Sequence, residues 1–132
     1  WMDGRSFKDL ELGVPVVVEN DANAAVLGEK WLGAGREFDS FVLLTLGTGI
    51  GGGIFHGGRL MNVSAEIGHM SVEAGGVRCT CGNSGCLERY ASARAIVDAA
   101  TKALEGGAES LLHTCCGGNM YRMTSEDVHS AA

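Results

Sequence analysis

The sequence lacks several features that would assign it to common classes of protein. No apolar run approaches the roughly 20 residues that a membrane-spanning helix needs, and no secretory signal peptide opens the chain. Basic residues are scarce, since 10 lysines and arginines stand against 16 aspartates and glutamates, giving a formal charge of −6. This balance argues against direct nucleic-acid binding by this segment. We therefore expect neither a membrane nor a nucleic acid as partner.

Proline is nearly absent, with one residue, whereas glycine is abundant at 21 of 132 residues. Abundant glycine suits loops that approach a ligand closely. The hydrophobic fraction of 45% and the charged fraction of 20% are those of an ordinary globular chain. The length fits one domain or a piece of a larger one. Because the chain begins Trp-Met, we expect a piece.

Three of the five cysteines form, with an upstream histidine, a pattern typical of a zinc site. The spacing is His69-x9-Cys79-x-Cys81-x4-Cys86, and Cys3His is a standard tetrahedral ligand set. Four protein ligands leave no open coordination position, so we predict a structural zinc rather than a catalytic one. Buried free thiols beside an unrelated histidine are the alternative. Cysteines arranged as ligands, not as a disulfide ladder, favour a reducing, cytoplasmic location.

Asp21 lies between a predicted strand and a predicted helix. Residues 14–18 are a short β-branched run, which indicates a buried strand in a parallel or mixed sheet. Asn20 or Asp21 can cap a helix that runs to about Leu32 and stops at Gly33. A carboxylate at this edge of an open α/β sheet lies where such sheets bind ligands. From this pattern alone, Asp21 is either a ligand-site residue or merely the N-cap.

A second predicted strand, residues 41–46, leads into the glycine-rich run 47–53. The run satisfies G-x-G-x-x-G, but that fingerprint requires a helix to follow, and residues 54–60 indicate a β-hairpin instead. We therefore reject a Rossmann site. A glycine loop between strands can still cradle phosphates, because its N–H groups come close to the anion and Thr48 adds a hydroxyl. The alternative is a flexible hairpin connection.

Two carboxylates flank the predicted metal loop. Glu66 precedes His69 by three residues, and Glu88 follows Cys86 by two. Carboxylates on a fixed loop suit the vicinal hydroxyls of a sugar, because each oxygen can accept from an O–H group. The alternative is that one or both are solvated surface charges or helix-end residues.

The rest of the chain is predicted to be mainly helical. Ser92 caps a helix to about Leu104. The predicted apolar stripe of this helix comprises Ile96, Val97, Ala100, Ala103 and Leu104. Shorter helices are predicted at residues 7–12, 87–91 and 109–113, with a capping box at 124–127. Cys115 and Cys116 are expected to pack rather than to bind metal.

Three runs, residues 19–25, 46–54 and 66–88, resemble in their order the ROK family of repressors, open reading frames and sugar kinases. Its bacterial glucokinases are the most similar branch. The resemblance implies an α/β fold of the actin-like ATPase (ribonuclease H-like) type, present here in part as a mixed sheet with helices and a zinc-binding loop. Residues 1–21 would be the remnant of the N-terminal small lobe. Residues 22–132 would form part of the large lobe.

The same resemblance implies a role for individual residues. Asp21 matches the catalytic base that takes the proton of the sugar hydroxyl. The sugar-binding positions are matched by Asn20, Asp21, Glu66, His69 and Glu88, the nucleotide-binding turn by Gly47, Thr48 and Gly49, and the zinc ligands by His69, Cys79, Cys81 and Cys86. ATP with Mg2+ and a structural Zn2+ are the implied cofactors.

The resemblance leaves two functions open. One is ATP-dependent phosphorylation of a hexose, most simply glucose to glucose 6-phosphate, by a full-length homodimer. The other is sugar sensing by a ROK-type transcriptional repressor. A plain zinc-binding interaction module is a third interpretation, and it leaves Asp21 and the glycine loop unexplained. The family's first phosphate loop, Asp-x-Gly-Gly-Thr, is absent from these residues, so we expect the 132-residue chain alone to be inactive.

Overall fold

The structure is a computed structural model that describes residues 13–63, 65–115 and 119–132. Among the described residues, one helix precedes a small sheet and four helices follow it. The helices are α1 (Asp21–Leu32), α2 (Glu88–Ala91), α3 (Ala93–Glu105), α4 (Leu112–Cys115) and α5 (Ser125–Ser130), and the strands are β1 (Phe41–Leu46), β2 (Ile50–His56) and β3 (Arg59–Leu60). Short 3-10 turns lie at Ala34–Glu37, Ile67–His69 and Met120–Arg122. Within the described ranges, no helix combines the length and the apolar character needed to cross a bilayer.

Helix α1 begins and ends as predicted. The side-chain oxygen of Asn20 accepts from the backbone N–H groups of Ala22 and Asn23, which makes Asn20 the N-cap. At the other end Gly33 donates its N–H to the carbonyl of Glu29. Asp21 is therefore the first helical residue and not the cap.

The strands form one sheet in the order β1-β2-β3. Both pairings are antiparallel, with Leu46 opposite Ile50 beside the β1–β2 turn and Phe41 opposite Phe55 at the far end. The β2–β3 connection is the predicted hairpin, whose two glycines have positive φ. Over the part of the chain that the structure describes, the sheet is antiparallel throughout, so the predicted mixed sheet is wrong.

The strand predicted at residues 14–18 is also wrong. These residues form neither strand nor helix, and all are exposed, Val17 by 85%. A strand needs a neighbour for its backbone hydrogen bonds, and a β-branched run does not specify which neighbour it has. Among the described residues β1 pairs only with β2, and residues 14–18 pair with no strand.

The glycine run 47–53 is divided between a turn and a strand. Its last three glycines lie in β2, where other side chains occupy the space of their missing Cβ atoms. A Cβ on Gly51 would lie 2.5 Å from Thr45 Oγ1, and one on Gly53 would lie 2.5 Å from Cγ2 of the fully buried Val26. A Cβ on Gly52 would overlap Ile67. These glycines therefore let α1 and the Ile67–His69 turn pack directly against the sheet.

The C-terminal part has its own small core. Leu104, Leu112 and Met123 are buried together, with Val97 and Ala100 packed against them. Ser92 caps α3 as predicted, and Thr124 and Asp127 form both halves of the predicted capping box.

Two details of this region differ from the predictions. Ile96 and Ala103 are exposed, because the covered face of α3 follows the spacing of Val97, Ala100 and Leu104. The helix predicted at residues 109–113 begins only at Leu112. The helix predicted at 7–12 and the packing predicted for the thiols of Cys115 and Cys116 lie outside the described residues and side chains.

Candidate functional site

A cleft of about 370 Å³ opens between the start of α1, the β1–β2 turn and the start of α2. Its lining residues are Asp21, Thr45, Leu46, Gly47, Thr48, Gly49, Ile50, Gly51 and Glu88. The cleft therefore joins two predicted sugar ligands, Asp21 and Glu88, of which Asp21 is also the predicted catalytic base, with all three residues of the predicted nucleotide-binding turn. The sequence separates Asp21 from Glu88 by more than sixty positions, and the fold brings both to one cavity.

Asp21 is exposed at the N-terminal end of α1. Its Oδ1 accepts from the N–H of Ala22 at 2.8 Å. Because Asn20 performs the capping, the interpretation of Asp21 as a mere N-cap is not needed to explain the helix. The positive end of the helix dipole favours an anionic carboxylate at this position.

The turn of residues 47–49 is held at both of its ends. Gly47 donates its N–H to the carbonyl of Gly49 at 3.0 Å and accepts from the N–H of Ala93 at 2.9 Å. A Cβ on Gly49 would lie 2.9 Å from Glu88 Oε2, so a side chain at this position would force the carboxylate or the turn to shift. Thr48 and the rest of the turn line one part of the cleft, and the carboxylates of Asp21 and Glu88 line another.

The four predicted zinc ligands lie together. The ligand atoms of His69, Cys79, Cys81 and Cys86 are all within 4.8 Å of one another. Cys79 Sγ is 3.7 Å from His69 Nδ1, and Cys81 Sγ is 3.6 Å from Cys86 Sγ. A tetrahedral Zn2+ with ordinary bond lengths separates its ligand atoms by about 3.6 to 3.8 Å. The residues present therefore fit a zinc ion in number and type, and two pairs of ligand atoms have the spacing of a tetrahedral site.

The backbone of the metal loop is braced by its own turns. Cys79 donates its N–H to the carbonyl of Asn83 at 2.8 Å, and Gly85 donates to the carbonyl of Val77 at 2.8 Å. Gly85 has φ +77°, and a Cβ there would overlap the carbonyl oxygen of Glu73. This close approach explains why the loop has glycine at that position.

Two thiols of the cluster differ in electrostatic environment. Burial, followed by hydrogen bonding with Cys81 and Cys79, raises the pKa of Cys86 to about 12. A backbone hydrogen bond at Asn83, followed by one with Cys79, lowers the pKa of the exposed Cys81. Since a metal binds the thiolate, the Cys86 proton is released when an ion binds, and metal affinity is expected to depend on pH.

His69 connects the three cysteines to both flanking carboxylates. Its Nδ1 is 3.6 Å from Glu88 Oε1, and its Nε2 is 3.9 Å from Glu66 Oε2. Glu88 Oε1 also lies 3.2 Å from Cys79 Sγ. The Glu88 side chain, 19% exposed, therefore contacts Cys79 and His69 with one oxygen and faces Gly49 with the other.

The predicted sugar ligands are not all in the cleft. Asn20, Glu66 and His69 are not among its lining residues. Asn20 uses its side-chain oxygen to cap α1, and Glu66 is largely exposed beside His69. The structure thus unites Asp21, residues 47–49 and Glu88 directly and joins His69 and Glu66 to them through Glu88.

Two groups near the cleft were missed by sequence reasoning. Asn23, which is 4% exposed, donates from Nδ2 to Glu19 Oε1 at 3.0 Å, just outside the turn that carries Asp21. Tyr90, on α2, accepts from the N–H of Val77 at 2.7 Å and fastens the metal loop to the helix that begins with Glu88. The second asparagine of Asn-Asp-Ala-Asn was the signal for the first group. Nothing local marked Tyr90.

Known proteins match most of this chain. The ROK family profile matches residues 7–123. A glucokinase of Thermotoga maritima is 58% identical over 88 residues, which are 64% of this chain and 28% of that protein. A xylose repressor of Bacillus spizizenii is 39% identical over 100 residues, or 73% of this chain and 26% of the repressor.

A solved structure extends the similarity to three dimensions. The crystal structure of a ROK family glucokinase from Streptomyces griseus in complex with glucose and AMPPNP matches with a TM-score of 0.76 and 42% identity. The match covers 90% of this chain and 40% of that one. This chain therefore spans less than half the length of each of these relatives.

Proposed function

This chain belongs to the ROK family, and on that basis we propose that its full-length protein phosphorylates a hexose with ATP. Glucose is the expected substrate, because glucokinases are among its relatives and one related structure contains glucose. The single observation that carries the proposal is the shared cleft of Asp21, the turn 47–49 and Glu88. It joins a candidate base, a phosphate-binding turn and a hydroxyl acceptor.

In the proposed reaction Asp21 is the general base. Its carboxylate accepts the proton of the sugar hydroxyl while the hydroxyl oxygen attacks the γ-phosphorus of ATP. The new O–P bond forms, the bond from the γ-phosphorus to the bridging oxygen breaks, and ADP leaves with the electron pair. Such a reaction depends mainly on positioning and charge neutralisation, so one oriented base beside a phosphate site suffices.

The turn 47–49 is proposed to hold the phosphates. Gly47 already donates its N–H to Gly49, so the proposed donors are the N–H groups of Thr48 and Gly49 and the Thr48 hydroxyl, none of which carries a negative charge that would repel a polyanion. A magnesium ion bound with ATP would neutralise phosphate charge further. No step is assigned to the metal cluster itself, since four protein ligands would fill a zinc coordination sphere.

The sugar wall is proposed to consist of Glu88, His69, Glu66 and Asn20. His69 Nδ1 faces Cys79, so with zinc on that nitrogen the other nitrogen carries the proton and can donate. Glu88 contributes acceptor oxygens for hydroxyl groups. In this proposal zinc acts by fixing the position of His69 and of the loop that leads to Glu88, and not in the chemistry.

The test is hexose-dependent formation of ADP by the full-length protein and by its Asp21→Asn variant. Removal of a general base is expected to lower kcat by about a hundredfold or more, with little change in sugar affinity. Asp39→Asn is the matched control, because Asp39 is exposed and lies outside the cleft. Equal turnover in Asp21→Asn and the wild type would remove Asp21 from this role.

A sugar-sensing repressor is the second candidate, favoured by the similarity to a xylose repressor. It predicts a different outcome of the same experiment. A sensor binds the sugar without hexose-dependent ADP formation, and Asp21→Asn then affects binding alone. Glucose binding measured by calorimetry beside the turnover assay separates the two functions.

A further inference from the structure

Glu19 and Asn23 form a bridge over the first turn of α1, and neither lines the cleft. We propose that this bridge is a positioning device that fixes Asp21 in its catalytic orientation. The inference rests on the proposed kinase function. It adds two residues that do not touch the reacting atoms.

One carboxylate oxygen makes the bridge. Glu19 Oε1 accepts from Asn23 Nδ2 at 3.0 Å and from the backbone N–H of Asn20 at 2.9 Å. The ring of contacts runs from residue 19 to residue 23 and encloses Asp21. The backbone on both sides of Asp21 is thereby tied to a single point.

Asn23 is the fixed end of the bridge. It is 4% exposed and lies on the side of α1 that packs against β2, where a Cβ on Gly53 would lie 3.3 Å from Asn23 Oδ1. A buried amide that loses its acceptor is strongly disfavoured. We therefore expect the Glu19 carboxylate to stay beside the Asn23 amide. This contact holds the exposed residues before α1 in place relative to the sheet.

Asp21 depends on this backbone for its orientation. Its carboxylate accepts from the N–H of Ala22 at 2.8 Å, and that same N–H also lies 2.9 Å from Asn20 Oδ1. In the described part of the chain, no side chain donates a hydrogen bond to Asp21. The direction of its carboxylate is thus set by the turn that the bridge holds.

The hydrogen bonds of the bridge also favour the ionised form of Glu19. The hydrogen bond from Asn23, followed by the one from the backbone of Asn20, lowers the pKa of Glu19. An ionised Glu19 carboxylate can accept both hydrogen bonds, the one from Asn23 and the one from the backbone of Asn20. The same hydrogen bonds can form with a neutral glutamine, which supplies one oxygen acceptor.

The test measures kcat and sugar KM of full-length variants at saturating ATP. Asn23→Ala and Glu19→Ala are each expected to lower kcat by about tenfold to a hundredfold, because small misplacements of a reacting group are costly. Their sugar KM is expected to change by less than about threefold. Glu19→Gln should restore kcat to within about threefold of the wild type, and the double variant should lose no more than either single one.

Leu112→Ala is the matched control, since Leu112 is buried in the C-terminal core and does not lie on α1. It is expected to lower the melting temperature and to leave kcat unchanged, which separates positioning from general destabilisation. Wild-type kcat in Asn23→Ala and Glu19→Ala, or losses that multiply in the double variant, would overturn the positioning role. If these variants stay active while Asp21→Asn is inactive, the kinase function survives and only this inference fails. A wild type without hexose-dependent turnover overturns both.

Discussion

Because Gly49 lies close to Glu88, we predict that a single methyl group added at Gly49, in the turn 47–49, weakens sugar binding. In Gly49→Ala the new Cβ would lie 2.9 Å from Glu88 Oε2, whereas ordinary contact begins at 3.4 Å. The carboxylate must therefore retreat by about 0.5 Å, the difference between these two distances. Its other oxygen is already in contact with Cys79 and His69, so a shift of the carboxylate would disturb these contacts.

The magnitude follows from the hydrogen bond that the displaced carboxylate would lose. A hydrogen bond to a charged group contributes about 1.5 to 3 kcal/mol. Since about 1.4 kcal/mol corresponds to a factor of ten, the dissociation constant for glucose should rise by about tenfold to a hundredfold. Calorimetry on the full-length protein without nucleotide measures this constant directly.

Gly47→Ala is the matched control for this prediction. A Cβ at Gly47 would meet nothing within 4 Å, and Gly47 is not among the glycines with positive φ. The same methyl group, two residues away on the same turn, should leave glucose affinity unchanged. If both variants bind glucose equally well, the proposed coupling between the turn and Glu88 is refuted.

Three further predictions follow from the same structure. Cys81→Ser should reduce bound zinc, measured by metal analysis. It should also weaken glucose binding far more than ATP binding, because Glu88 touches the cluster of His69 and the cysteines, whereas the turn 47–49 contributes no ligand to that cluster. Val26→Ala removes about two buried methyl groups and should cost about 2 to 3 kcal/mol in denaturant unfolding. Thr124 lowers the pKa of Asp127 below its ordinary 3.8, so the capping box stabilises the fold above that pH and loses this effect as the pH falls through the lowered pKa. In Asp127→Asn that acid-side loss should be absent from a series of melting temperatures.

Local signals were sufficient for most of the helices and for the grouping of His69 with the three cysteines. Asn20, Ser92 and Thr124 each predicted the start of a helix, because capping depends on one side chain and the next few N–H groups. The spacing of His69 and the three cysteines likewise reports a geometry that the loop itself closes. Such features are decided within a few residues of each other.

Features that depend on distant partners were predicted poorly. Residues 14–18 have the composition of a strand, and composition does not supply a pairing neighbour. Gly51, Gly52 and Gly53 have low strand propensity, yet they pair with β1, and Thr45, Ile67 and Val26 occupy the space of their missing side chains. The Gly49–Glu88 contact joins residues 39 positions apart, and no periodicity in the sequence encodes it.

The distribution of charge in the cleft bears on what it can bind. Asp21 and Glu88 place two carboxylates on a wall that a polyanion must approach, which disfavours a nucleotide at that side. A neutral polyol meets no such penalty, since its hydroxyls donate to carboxylates. The turn 47–49 offers N–H and hydroxyl donors instead. The cleft is thus divided into an acceptor side suited to a sugar and a donor side suited to phosphate, and Gly49 lies where the two sides meet.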